Sequence, residues 1–481
     1  LSALAFCSAL GIAQAQTDVT KEYLVNPSFE TLKAADGTTD VAVKTKLENG
    51  LYGWEISKLL DNQFSNYQVE SEASGSSTGI PANGIIKPSQ GEFYYFNRQG
   101  WGNVDGSELK TSTSKNLPIG TYYAVIDYKA ADFSNNNDAS KSGTTIGIKA
   151  ENATNELLGE NTAVRRAYST LTSNSDPYMV NAAWNELGTM FTVTEPTTVT
   201  ISLVQNMKNS GRSDIAWDNL RLYKIEDVSE NAPMDVSGLI TTSNYYAFGG
   251  WNIEGGNTFQ VNTWSTEGEN DGSGMTTPFI EDHVGKENKA ANATISHTVS
   301  HLIPGIYEVS GLIRVLNEAG GDTPSGATLY ANEGSTNACN GEPCTNGVYG
   351  TYIVKGTVGT DGVLTFGIKV ANANFNWVSF KNFKLQYLGA ASIEQLQATL
   401  QEKIEEAKAY AENCPKGIAA IVNAAITQGD NAQPTEESLN AAIAALTQAI
   451  ALAEETAPAT AAHPQERPFP SKAGPAAVEH A

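Results

Sequence analysis

Histidine is scarce in this chain of 481 residues. The five are His283, His297, His301, His463 and His480, and none precedes position 283. Gly75-Ser76-Ser77-Thr78-Gly79 formally matches a nucleophile-elbow pattern, but it sits in a Ser/Gly loop rather than between a strand and a helix, and no imidazole lies anywhere in that part of the chain. A serine hydrolase is set aside on that ground. Basic residues are also thin, 30 Lys+Arg against 53 Asp+Glu, for a formal charge of −23. Nucleic acids and anionic membranes are bound by clustered Lys and Arg, so neither is an expected partner. No P-loop or dinucleotide fingerprint is present. Beyond the first residues no stretch approaches 18 apolar residues, so no membrane-spanning helix is expected. Four cysteines do not cluster with histidine as a structural zinc site requires. Charged residues of both signs make up only 17% of the chain while glycine numbers 43, a balance of short strands and polar turns.

What is there begins with residues 1–16, LSALAFCSALGIAQAQ, an apolar run closed by Ala13-Gln14-Ala15, the small-x-small mark of signal-peptide cleavage. It lacks an initiator methionine and a basic n-region and reads as a slightly truncated leader. It predicts export to the periplasm, cell surface or medium. Phe6 ahead of Cys7 argues against lipidation. In an oxidising compartment Cys339 and Cys344, within ACNGEPCTNG, either close a small disulfide loop or remain two thiols, and the sequence leaves both open. Cys414, at the end of a helical pattern, reads as a buried apolar filler.

From 20 to 225 short alternating runs, among them Tyr23-Leu24-Val25, Phe93–Phe96, Thr121–Tyr128, Thr198–Val204 and Leu220–Tyr223, are parted by Ser/Gly/Asn clusters. That is the grammar of an antiparallel β-sandwich. Residues 226–235, acidic and holding Pro233, read as a linker. The segment 236–388 repeats the grammar. Leu117-Pro118-Ile119-Gly120-Thr121-Tyr122 matches Leu302-Ile303-Pro304-Gly305-Ile306-Tyr307, and IAWDNLRLYKI (215–225) matches VSFKNFKLQYL (378–388). Two openings, Gly53-Trp54 and Gly250-Trp251, also correspond, and the two segments read as a diverged duplication. Thr360-Asp361-Gly362 predicts a hairpin in the second copy. From 391 to 456 the period becomes helical, with Ser392 and Gln395 as a capping box, and a small bundle is expected. Residues 457–481, rich in Pro and Ala, read as a disordered tail. The fold class expected is mainly β: two tandem antiparallel jelly-roll sandwiches and a small C-terminal α-helical bundle.

Aromatic residues are the strongest chemical signal. A sugar ring offers an apolar C–H face and a rim of hydroxyls, so a flat aromatic beside Arg, Asn or Asp meets both. In the first copy Tyr94, Tyr95, Arg98 and Trp101 form such a set. Strand alternation sends one of the two tyrosine faces to the core and leaves the other to be presented. In the second copy Trp251, Trp264 and Trp377 are the counterparts. Trp54, Trp251 and Trp377 have an alternative reading as sandwich core.

The opening Asn26-Pro27-Ser28-Phe29-Glu30, then Gly53-Trp54, then the turn at 117–122 and finally Trp217-Asp218-Asn219-Leu220-Arg221-Leu222-Tyr223 together resemble bacterial carbohydrate-binding modules with the galactose-binding-like jelly roll. The resemblance is fuller over 20–225 than over 236–388. It implies a structural Ca²⁺ held by Glu30 and Asp218, since calcium takes carboxylate and carbonyl oxygens. No NPSFE opens the second copy and Lys381 stands in the place of Asp218, so calcium is expected in the first copy alone. The C-terminal helices are similar to small helical repeats appended to bacterial surface proteins, as spacers or as a docking site for a protein partner. The functional expectation is exported, non-catalytic binding of a polysaccharide or other glycan. The alternatives are a structural or adhesion spacer, or an accessory part of a glycoside hydrolase or polysaccharide lyase.

Overall fold

Period-two runs bounded by Gly, Asn and Pro become strands because each buries one face against a neighbouring layer. The computed structural model describes residues 16–47, 49–58, 66–72, 87–133, 144–165, 184–240, 251–256, 259–262, 279–320, 322–332, 335–339 and 349–456. The chain divides into two compact units at Ala391/Ser392. The first unit is built from strands and the second from helices.

The opening strands are β1 (Gln16–Asp18), β2 (Gly50–Leu51), β3 (Trp54–Lys58), β4 (Asn66–Ser71), β5 (Phe93–Ser112), β6 (Gly120–Phe133), β7 (Thr144–Asn152), β8 (Leu157–Arg165), β9 (Asn185–Val193) and β10 (Val199–Ile225). Strands β5 and β10 are long because each serves two layers. The start of β5 and the end of β10 pair with one another and, with β4, β6 and β9, complete the first layer. Their other halves pair with β3, β7 and, through β7, β8 in the second layer. Phe29, Trp54, Tyr95, Tyr122, Phe191 and Trp217 fill the core between the layers. Strand β1 lies along the end of β10, Gln16 opposite Ile225. The expected Tyr23-Leu24-Val25 strand is not formed. A one-turn helix, Thr20–Tyr23, occupies that place, its first N–H donating to Asp18 Oδ1 at 2.9 Å.

The next strands are β11 (Met234–Asp235), β12 (Trp251–Gly255), β13 (Phe259–Asn262), β14 (Phe279–His283), β15 (Ala293–Val299), β16 (Gly305–Leu316), β17 (Ala327–Ala331), β18 (Ser335–Ala338), β19 (Gly350–Val358), β20 (Leu364–Val370) and β21 (Trp377–Tyr387). They form two sheets, β13-β14-β21-β16-β19 and β12-β15-β20-β17-β18. Counted in chain order, this is the strand order of the preceding sandwich, with β14/β15 and β20/β21 standing where β5 and β10 run unbroken. Local details repeat as well. Tyr122 and Tyr307 each donate their hydroxyl to the carbonyl four residues upstream, Pro118 O and Ile303 O, at 2.9 Å. Asn219 and Asn382, at φ 55° and 53°, sit at matching breaks in register, between Asp218 and Arg221 and opposite Ser310 and Leu312. Such a left-handed residue is tolerated by Asn because its short side chain bonds locally. Thr360-Asp361-Gly362 does form a turn, with Gly362 at φ 65°, but it joins β19 of one sheet to β20 of the other instead of closing a hairpin.

The segment 226–235, expected to be a linker, is mostly exposed or partly exposed, but its end and the residues that follow are packed. Met234, Val236, Leu239 and Ile240 are apolar and buried, and β11 pairs with β21, Met234 opposite Tyr387. Around them Tyr123, Val125 and Met190 of the first sandwich join Tyr307, Val309 and Leu385 of the second in one apolar core.

The second unit holds α1 (Ile393–Asn413), α2 (Lys416–Asp430) and α3 (Glu436–Thr456). Ser392 Oγ accepts the Gln395 N–H and the Gln395 side chain accepts the Ser392 N–H, the capping box expected from sequence. Leu396, Leu400, Ile404 and Ala407 are buried with Leu439, Ile443, Leu446 and Ile450, while Cys414 is half-buried. Among the described residues no helix is long and apolar enough to cross a membrane.

Candidate functional site

The outward side of the first layer carries the polar chemistry. Tyr95 points into the core and stacks on Phe29, with centroids 5.7 Å apart. Tyr94 points the other way and is nonetheless 0% exposed. Its hydroxyl donates to Glu70 Oε2 at 2.8 Å, and its ring meets Trp184 edge-on at 6.2 Å. Burial, with Glu70 adding to it, holds the Tyr94 phenol well above the usual range. The expectation that one of the two tyrosines is presented to a ligand is therefore corrected. β5 is a central strand covered on both faces, and alternation distributes side chains without guaranteeing solvent on either side.

Partial exposure begins further along the sheet, at Arg221 of β10 and Glu186 of β9. Asp127 of β6 and Glu186 of β9 are directly opposite partners. Arg221 of β10 donates from Nη2 to both, to Asp127 Oδ1 and, at 2.9 Å, to Glu186 Oε1. Asp127 Oδ2 also accepts the Ser89 hydroxyl and the Asn219 amide. Trp184, just ahead of β9, is half-buried. Its Nε1 donates to Lys87 O at 3.0 Å, and Lys129 Nζ lies 5.4 Å from its ring centroid. These groups and their neighbours line a cleft of ≈ 390 Å³: Asp127, Trp184, Asn185, Glu186, Arg221 and Ser237. Burial raises the pKa of Glu186 against the pull of Arg221. For Arg221 burial acts downward, but the two carboxylates outweigh it and the guanidinium is raised. Chemically, the cleft offers one aromatic face ringed by acceptors and donors.

The aromatic set expected in the second sandwich is placed differently. Trp251 lies in the core between Phe366, Phe380, Phe383 and His297, and this is the alternative reading of it. Trp377 is 5% exposed and held on three sides. Its Nε1 donates to Glu281 Oε2 at 2.8 Å, its ring stacks on His283 at 4.3 Å, and the Arg314 guanidinium lies 3.9 Å from its centroid. A buried Trp so enclosed braces the sheet. Arg98 and Trp101 lie on β5, with Arg98 in register with Asp214 and Asn66, but their side chains lie outside the described residues. Trp264 and Cys344 also lie outside them. Cys339 is buried directly after β18, its N–H donating to Ala327 O at 2.9 Å.

Glu30 and Asp218 do come together on one segment. Glu30 accepts the Glu92 and Phe93 N–H groups at 3.1–3.2 Å, and Asp218 accepts those of Ser89 and Gln90 at 2.8 and 2.9 Å and its neighbour Asn219 at 2.7 Å. Both carboxyls thus meet backbone N–H donors of the same segment. Among the described residues no three His, Cys, Asp or Glu side chains group as a metal ion needs. As placed, the pair clamps residues 89–93. Burial, opposed by the three amides, pushes the Asp218 carboxyl up to about 8.

Sequence reasoning passed over Trp184, Asp127, Glu186 and Arg221. Arg221 lies inside the WDNLRLY motif, but nothing in a linear text says that β6 and β9 set two carboxylates against it.

No protein-family model matches the chain, and no curated protein matches it. Among solved structures, TmCBM61 in complex with β-1,4-galactotriose is 14% identical, with 42% of this chain and 97% of that one covered and a TM-score of 0.24. The CBM22-1–CBM22-2 tandem of Paenibacillus barcinonensis Xyn10C is 9% identical, over 79% and 99% of the two chains, at 0.23. An apo cyclase from Fischerella sp. is 15% identical, over 44% and 97%, at 0.28. Likeness at these scores says nothing of a ligand, and the sandwich assignment rests on the strand pairing itself.

Proposed function

We propose that this is an exported, non-catalytic glycan-binding protein whose first sandwich takes a neutral sugar chain in the Trp184 cleft. The observation that carries the reading is a half-buried Trp184 in a cleft with Asp127, Asn185, Glu186, Arg221 and Ser237. The indole supplies an apolar plane for the C–H face of a pyranose, and the carboxylates and guanidinium supply acceptors and donors for its hydroxyls. Two carboxylates share one guanidinium and Lys129 Nζ lies 5.4 Å from the Trp184 centroid, so the named charges balance, which suits a neutral sugar chain. Glycoside hydrolysis asks for two carboxyls free to act on either side of a bond, and here both are tied to the same Arg221 nitrogen, which supports the non-catalytic reading. Export rests on the leader-like run at 1–16 alone.

Affinity electrophoresis tests the proposal, with β-1,4-galactan, xylan, β-glucan and polygalacturonate in the gel. Retardation by at least one neutral polysaccharide, lost in Trp184→Ala, is the expected result. Mobility unchanged by all four, or unchanged between the protein and Trp184→Ala, rejects it. The apolar core shared by the two sandwiches favours a second reading, a rigid surface spacer, and that reading predicts no retardation at all.

A further inference from the structure

One lining residue of the Trp184 cleft comes from the segment joining the sandwiches. Ser237 begins a 3-10 turn, Ser237–Leu239. What fixes it is the second sandwich. The Leu385 N–H of β21 donates to Ser237 Oγ at 3.1 Å, the Val236 N–H donates to Leu385 O at 2.9 Å, and β11 is zipped onto the end of β21. The opposite side of the turn is fitted to the first sandwich. Asn161 Nδ2 donates to Gly188 O at 2.9 Å and to Leu239 O at 3.2 Å. Gly238 is so close that an added Cβ would stand 2.6 Å from the Tyr123 hydroxyl, 3.0 Å from Val125 Cγ2 and 3.2 Å from Glu186 Cβ. Glu186 is itself a wall of the cleft.

We infer that the cleft is a composite site, completed only when the second sandwich is docked, so that ligand binding and docking are coupled. This rests on the glycan-binding reading and adds a dependence which that reading does not contain. The coupling is reciprocal: whatever factor docking adds to ligand affinity, bound ligand adds to docking. A turn gripped by both sandwiches, with one residue in the cleft and the next against Glu186, is the physical element both processes bias.

Amide hydrogen exchange on the full chain reads this directly, with oligosaccharides of β-1,4-galactan, xylan and β-glucan added in turn. The expected result is slowed exchange at 185–188 together with slowed exchange at 237–239 and at the Leu385 amide. Slowing confined to 185–188 overturns the coupling and leaves glycan binding standing. Slowing nowhere with any of the three overturns both. Gly238→Ala supplies the converse, since its methyl must displace the turn. It should weaken binding about 5-fold or more while protease cuts the 226–240 segment faster. Unaltered affinity with a faster cut overturns the inference.

Discussion

Asp218 is the residue at which burial and hydrogen bonding oppose each other most plainly. Three backbone N–H groups favour its charged form, yet burial dominates and the carboxyl stays protonated in the fold up to about 8. In the unfolded chain it ionises near pH 3.9 (roughly the model-peptide value). Its folded pKa therefore lies above its unfolded one, so between the two the unfolded state sheds a proton that the folded state keeps. Stability then falls as pH rises from about 4 to about 8 and is insensitive to this group outside that window. Calorimetry of the protein beside Asp218→Asn should show a decline across the window that the variant flattens. A Tm that stays as flat over the same range in the protein as in the variant would mean the carboxylate is charged in the fold. If Glu30 and Asp218 hold Ca²⁺ as the sequence resemblance implies, EDTA should lower the Tm, and a Tm unchanged by chelation would remove calcium from this pair. Both acids stood out in the sequence through their motifs. Their partners did not, because backbone amides of residues 89–93 carry no side-chain signature in a linear text.

Among the elements, the two tyrosine turns offer a matched pair of probes. Tyr122→Phe and Tyr307→Phe each remove the bond to an upstream carbonyl, so each should cost about 1 kcal/mol in chemical denaturation, and Tyr307→Phe the more because its hydroxyl also meets Met190 Sδ at 3.6 Å. A smaller loss for Tyr307→Phe than for Tyr122→Phe would contradict this. The bulge residue Asn382 gives a second probe. Asn382→Gly should be nearly neutral, whereas Asn382→Val forces a β-branched residue to φ 53° and should cost about 1–2 kcal/mol. These elements were the most legible in the sequence, because a Pro-Gly turn and a period-two run are local signals. Two aspects were not. That β5 and β10 would each cross from one layer to the other depends on pairing between distant strands. That both faces of Tyr94-Tyr95 would be covered depends on the same thing. The helical unit was read more closely, because its capping box and its apolar stripe are short-range features.

For the whole molecule, the decisive feature is the apolar core that joins the sandwiches through Tyr123, Met190, Val236, Leu239 and Tyr307. Residues 16–391 should melt in one calorimetric transition. Val236→Asp puts an unpaired charge into that core, at a cost of several kcal/mol, and should split the transition in two. A single transition in the variant would mean that the sandwiches stay coupled without an intact Val236 contact. The sequence concealed this arrangement, since four apolar side chains spread over 234–240, just past a polar segment, do not look like a core until two sheets close on them.

The ends of the sandwiches have a mechanical meaning. Gln16 lies beside Ile225, and Met234 lies beside Tyr387. Each sandwich therefore enters and leaves the chain at nearly one point, like a bead hung from a thread instead of strung along it. Pulling on the two ends of the strand-built unit loads the three pairs of β1 and the two pairs of β11 first, peeling them one at a time at low force. The layered cores, and the cleft built on one of them, are spared until those short strands have gone.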